Sequence, residues 1–237
     1  MAKTLRAESA FENVILRRLS PDQREALSSH LRPVKLAVRQ VLYEPDRPME
    51  YAYFVEDGMI SVVSVMSDGR TVEVGTIGRE GMLGSTMLLG ADRVPYQCFV
   101  QIAGRGNRMS AATLLSECER DEALRRLILN YQAAFLTMAM QGTACNGLHN
   151  IQQRCCRWIL MSQDRMKSDV IALTHEFLGM MLGVRRASVS DVLLPLQERG
   201  WLKSTRGEIT ILDRKGLESG ACECYGLVSK QFQRMLD

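Results

Sequence analysis

No apolar run in the 237-residue chain approaches the ~18 residues that a membrane-spanning helix requires. The opening stretch MAKTLRAESAFENVILRRLS also lacks the continuous apolar region of a secretory leader. A cytoplasmic chain with no membrane partner is expected. Cysteine is present without organisation: Cys98, Cys118, Cys145, Cys155, Cys156, Cys222 and Cys224 are an odd number with no staple-like spacing, which implies reduced thiols rather than a disulfide framework. His30, His149 and His175 are the only histidines and stand far apart. No glycine-rich phosphate loop precedes a helix and no nucleophile motif occurs, so the chain is not expected to be an enzyme. Charge is almost balanced at +3. Lys plus Arg against Asp plus Glu count 17 and 17 over residues 1–147, then 13 and 10 over 148–237, so the whole basic excess lies in the last third. That is a weak sign of a polyanionic partner.

What is present falls into three territories. From Val34 to Met109 short apolar runs alternate ("YAYFV", "MISVVSVM", "TVEVGTI", "QCFVQIA"), separated by the turn signals Asp57-Gly58, Asp68-Gly69 and Gly104-Arg105-Gly106. They predict an antiparallel sandwich or barrel, with Asp68-Gly69 as a type I′ hairpin turn. Ahead of it, AFENVILRRLSPDQREALSSHL reads as short helices, the second capped by Ser20 with Pro21 in its first position.

The second territory begins near Ser110, an expected N-cap, and becomes a long helix over 119–146. Leu124, Ile128, Tyr131, Phe135, Met138, Gly142 and Cys145 recur there at spacings of four, three, four, three, four and three. So narrow a seam suits a partner helix, and a parallel homodimer through these seven positions is expected. The alternative is a long helix packed inside one chain. Asn146-Gly147 offers a break.

In the third territory a helix over 148–165 buries Ile151, Cys155, Trp158 and Ile159. Thr174 can then cap a short helix ending at Leu182, Gly183 makes a turn, and a second helix runs over 185–199. Gly179 is small where two steeply crossing helices must approach. This is the pattern of a helix-turn-helix. With the apolar positions assigned to the core, Arg185, Arg186, Ala187, Ser190 and Asp191 remain on the outer face. The segment WLKSTRGEITIL makes two short strands about Arg206-Gly207, a hairpin placed to act as a wing. Pro195 removes an N–H inside the second helix, beyond those outward residues.

A β-rich first half, a long helix and the stretch LTHEFLGMMLGVRRASVSDVLLPLQERGWLKSTRGEITILDRKGLE together resemble the Crp/Fnr family of bacterial transcription regulators. GREGMLGSTMLLGADR, CNGLH, DRKGLE and CECY look like one branch of it. The resemblance implies an α+β chain: a cyclic-nucleotide-binding-like antiparallel β-roll as effector or sensor domain (1–118), a dimerisation helix (119–147) and a winged helix-turn-helix (148–237). It implies a homodimer that binds a two-fold symmetric double-stranded DNA operator and contacts RNA polymerase. Thr174, His175, Arg185, Arg186, Ala187, Ser188, Ser190, Asp191 and Arg206 are then the DNA-binding residues. Arg186 matches the family's guanine-reading arginine, while Ala187 and Asp191 replace its frequent glutamate and arginine, so a different half-site is expected. A cyclic-nucleotide-type signalling module acting through protein partners is the rival reading; it leaves the winged helix unexplained.

The effector is not assigned. Cyclic-AMP-binding members carry Gly-Glu for the ribose and Arg-Ser or Arg-Thr for the phosphate, where this chain has Gly84-Ser85 and Arg93-Val94. Both substitutions count against cyclic AMP. An iron–sulfur sensor of the Fnr type needs an N-terminal cysteine cluster, and the first cysteine here is Cys98. Cys145 with His149, and Cys222 with Cys224, are two incomplete ligand pairs, so no metal site is expected. Cys222 and Cys224, near the chain end, are the redox candidates.

Overall fold

The computed structural model describes residues 11–166 and 168–236; the first ten residues of the stretch read for a leader lie outside them. Asn13 caps α1 (Val14–Arg18), and its side-chain amide donates to the carbonyls of Val55 and Gly81 at 2.8 Å each. Ser20 and Gln23 exchange side-chain to backbone hydrogen bonds at the head of α2 (Pro21–Ser28), as the Ser20-Pro21 pair predicts. Next come β1 (Arg32–Leu36), β2 (Val41–Tyr43), β3 (Tyr51–Val65), β4 (Thr71–Ile77), β5 (Met82–Leu83), a 3-10 helix at Ser85–Leu89, and β6 (Gln97–Ser110). All pairings are antiparallel, in the order β1-β6-β3-β4, with β2 on β6 and β5 on β3.

Three turn assignments are corrected. Asp57-Gly58 and Gly104-Arg105-Gly106 lie inside β3 and β6, where the register shifts, and do not end strands. A Cβ on Gly104 would stand 2.0 Å from the Asp57 carbonyl oxygen, and one on Gly58 2.6 Å from that of Ile102. The glycines are there because the two backbones touch at a bulge. Asp68-Gly69 belongs to a loop closed by Met66 and Arg70, in which Gly69 alone has positive φ, so it is not a type I′ turn.

Ser110 caps α3 (Ala111–Arg120), and Asp121 breaks the chain before capping α4 (Glu122–Leu148). The long helix expected over 119–146 is α4, which starts at Glu122 because of the Asp121 cap. The break after α4 falls at His149, beyond Asn146-Gly147, because Asn150 and Gln153 form a capping box for α5 (Ile151–Gln163). Then follow β7 (Val170–Ile171), α6 (His175–Leu182), α7 (Arg186–Glu198), β8 (Leu202–Thr205), β9 (Glu208–Ile211), α8 (Arg214–Gly220) and α9 (Cys224–Leu236). The second sheet has the order β7-β9-β8. Pro195 sits within α7, which continues to Glu198. Among the described residues no helix is long and apolar enough to cross a membrane.

The expected dimer seam is also corrected. Leu124, Ile128, Tyr131 and Met138 are buried in the chain's own core, against the sheet and the Val228 and Phe232 side chains of α9. Cys145 is buried beside Cys222 and Cys224. Phe135 is half-buried with its ring on Gly75, and Gly142 is half-buried. The repeat was real, but a long helix lying on a sheet with a second helix alongside fills the same narrow stripe. β3 is covered on both faces: Ile60 and Val62 join that first core, while Met59 and Val63 join a second one with α5, α6, α7 and the β8–β9 hairpin.

Candidate nucleic-acid interface

The helix pair is framed by residues that leave little freedom. Thr174 caps α6, its hydroxyl accepting from the Phe177 N–H at 3.1 Å. Gly183 takes the left-handed conformation at the turn, φ 66°, which few other residues tolerate. A Cβ on Gly179 would stand 2.8 Å from the Val184 carbonyl oxygen, so α6 meets the start of α7 backbone to side-chain-free backbone. Leu178, Leu182, Val189, Leu193 and Leu196 are buried between the helices. Arg185, Arg186, Ala187, Ser190 and Asp191 stay exposed on one face of α7, with Ser188 half-buried at its edge. Arg185 is the N-cap and supplies no side-chain bond, so the first N–H groups of α7 remain open to an acceptor.

β8 and β9 pair from Leu202 with Ile211 to Thr205 with Glu208, leaving Arg206 exposed at the tip with Gly207 at φ 81°. His175 ties this hairpin to both helices: Nδ1 lies 3.0 Å from the Ser190 hydroxyl and Nε2 2.8 Å from that of Ser204. Burial, then the neighbouring Arg186 charge, lowers its pKa and favours the neutral ring. His175 therefore stands as a brace, and Ser204 is a residue sequence reading missed. Its signal was faint, since a serine in β8, 29 residues from His175, has no periodic relation to it.

The four positions compared with a cyclic-nucleotide pocket do not gather into one. Gly84 and Ser85 line a cavity of about 20 Å³ into which Tyr131 and Phe135 of α4 project. Ser85 donates to the Gln132 side-chain carbonyl at 2.6 Å. Val94 is buried in the core, and Arg93 is a surface residue paired with Asp92 at 3.0 Å.

A larger cavity, about 280 Å³, lies where β4, α4, α5 and α6 meet. On its wall Glu73 accepts from the Trp158 indole N–H at 2.8 Å and lies 2.5 Å from the Ser61 hydroxyl. Burial pushes the Glu73 carboxyl up to about 7 against the pull of those bonds and of Arg165 and Arg157. Ser61 also hydrogen-bonds the Gln101 side-chain oxygen. A protonated Glu73 donating to Ser61, which donates to the Gln101 side-chain oxygen, gives each oxygen of the chain a partner, while Gln101 Nε2 stays buried without one.

The two incomplete ligand pairs are one cluster. Cys145 and His149 at the end of α4 meet Cys222 and Cys224 at the head of α9, all four ligand atoms within 4.8 Å of one another. The spacing of each pair was legible in the sequence; their meeting across some 75 residues was not. Cys222 and Cys224 are buried, not exposed as their place near the chain end suggests, and burial raises the Cys222 thiol.

Residues 33–121 match the cyclic nucleotide-binding domain and residues 153–219 the Crp-like helix-turn-helix domain. Among solved structures, the chain is similar to FixK2 from Bradyrhizobium japonicum, with 20% identity and a TM-score of 0.69 over 81% of this chain and 98% of that one. A CRP-family transcriptional regulator from Thermus thermophilus gives 19% and 0.62 over 79% and 96%. The c-di-GMP-responsive global regulator CLP of Xanthomonas campestris gives 16% and 0.62 over 81% and 99%. At these identities the likeness is one of fold. No curated protein matches the chain by sequence.

Proposed function

Because the chain belongs to the Crp/Fnr family of DNA-binding transcription regulators, with a sensor-type domain ahead of a helix-turn-helix, we propose that it binds a two-fold symmetric operator as a homodimer, with α7 in the major groove. The observation that carries this reading is the exposed face of α7: Arg185, Arg186, Ala187, Ser190 and Asp191 project from a helix whose other face is fixed in a core, beside a hairpin tipped by Arg206. Arg186 suits bidentate contact with guanine, Ala187 an apolar contact with a thymine methyl, and Asp191 acceptance from cytosine N4. Arg185 and Arg206 suit phosphate, which carries affinity without sequence. Thr174 and His175 act by holding the frame. Contact with RNA polymerase belongs to the same proposal.

The dimer is proposed through the other side of α4. Leu129, Ala133, Leu136, Met140, Thr143 and Gly147 repeat at spacings of four, three, four, three and four. All but the half-buried Leu129 are exposed, Leu136 at 56% and Met140 at 65%. Apolar residues at coiled-coil spacing left in water on a family member's long helix support a second copy as their partner. The nearly filled cavity at Ser85 counts against cyclic AMP at that position, since about 20 Å³ holds little more than a water molecule. Selection of binding sites from random double-stranded DNA tests the proposal: an enriched inverted repeat with half-sites one helical turn apart is expected. Recovery of no preferred sequence would overturn it.

A further inference from the structure

We propose that Cys145, His149, Cys222 and Cys224 form a closed, mononuclear tetrahedral site for a soft divalent metal, zinc being the ion whose chemistry fits. Zinc held by thiolates at about 2.3 Å and imidazole at about 2.0 Å sets its ligand atoms roughly 3.5–3.8 Å apart along the edges of a tetrahedron. The Sγ atoms of Cys145 and Cys222 are 3.5 Å apart, and Cys224 Sγ is 3.6 Å from His149 Nδ1. With all four ligand atoms inside 4.8 Å, there is room for one ion and none for a cluster of several irons. Three sulfurs and one imidazole nitrogen are a donor set that selects zinc over magnesium or calcium.

The surroundings are those of a built site. His149 Nε2 lies 3.2 Å from the Glu223 carboxylate, which fixes the ring and turns Nδ1 toward the sulfurs. Gln141 Nε2 donates to Cys224 Sγ at 3.0 Å. Cys145, Cys222 and Cys224 are buried, and the guanidinium groups of Arg154 and Arg157 lie close enough to offset the charge of three thiolates around one dication. Binding displaces the thiol protons to solvent, with no change of oxidation state. Because two ligands come from the end of α4 and two from the head of α9, the ion fastens the C-terminal helix across the α4–α5 break. Arg154 extends the connection: its guanidinium donates to the Leu182 carbonyl oxygen at 2.5 Å, at the turn into α7.

The full chain, purified under reducing conditions without chelator and then exchanged with excess zinc, is expected to retain about one zinc per chain by elemental mass spectrometry. Cobalt in its place is expected to give the intense visible bands of a tetrahedral thiolate complex. Cys222→Ser and Cys224→Ser should each lower zinc affinity by more than about tenfold, while Cys98→Ser, in β6, leaves it unchanged. If the serine variants fail to fold, the wild-type cobalt spectrum decides alone. Absence of stoichiometric zinc after exchange, a pale octahedral cobalt spectrum, iron–sulfur absorption, or wild-type zinc affinity in folded Cys222→Ser protein would each overturn the site.

Discussion

The side chains on the exposed face of α7 divide by what they can reach. Arg186→Ala is expected to cost about 1–3 kcal/mol per half-site and to relax preference at one base pair, whereas Arg206→Ala at the hairpin tip should weaken all sequences alike and flatten the salt dependence. Titrations at several salt concentrations, on the selected site and on a scrambled one, separate the two. Unchanged affinity and preference in Arg186→Ala would remove α7 as the reader. His175 makes a different prediction. A histidine whose folded pKa is lowered below the unfolded value of 6.5 contributes stability that is complete above that pH and lost as the pH falls through it. His175→Gln keeps a hydrogen-bonding side chain but cannot titrate. The melting-temperature lead of the wild type over that variant should therefore shrink between about pH 8 and about pH 5.5. A lead that does not change with pH removes the titration from the account. The frame itself was legible in sequence, since Thr174, Gly179 and Gly183 are where a helix-turn-helix needs a cap, a close approach and a positive φ. The His175–Ser190–Ser204 brace was not, because it joins three elements with no shared periodicity.

At the scale of elements, α4 carries two interleaved apolar repeats, and only one can face the chain's own core. The buried set through Leu124 and Tyr131 is held by the sheet and α9, which leaves the set through Leu136 and Met140 exposed, the face proposed for the dimer. Met140→Glu is expected to dissociate the dimer, since burying an unpaired carboxylate from each chain costs several kcal/mol. The fold should survive because Met140 is exposed in the single chain. Sedimentation at micromolar concentration with a far-UV spectrum measures both. A wild type that is monomeric there, or a Met140→Glu variant that remains dimeric, removes this face as the interface. The periodicity of α4 was plain from the residues. Which of its faces the sheet would cover depended on where β3, β5 and α9 come to lie.

Across the whole molecule, the winged helix lies against the sensor domain, with α6 on β4 and the Trp158 indole bonded to Glu73. Glu73 is expected to make this contact pH-sensitive. A carboxyl whose pKa rises from 4.5 to about 7 on burial binds a proton more tightly in the docked arrangement. Docking is therefore favoured at low pH, weakens as the pH rises from 4.5 toward 7, and changes no further above it; the full span corresponds to roughly 3 kcal/mol at most. Trp158 and Trp201 are the only tryptophans, so their fluorescence can follow the contact. Glu73→Gln should flatten the profile between those pH values, and an identical profile in variant and wild type would reject the assignment. The sequence by itself determined the local elements: capped helices, antiparallel strands, the helix-turn-helix with its hairpin, and the family they compose. These follow from spacing, caps and turn residues, which act over a few positions. Tertiary structure alone decided which face of α4 is core, that Gly58 and Gly104 mark a bulge, that the Ser85 cavity is nearly filled, and that four ligands meet. Each depends on contacts between segments dozens of residues apart, where burial and close approach select among faces that the local pattern leaves equivalent.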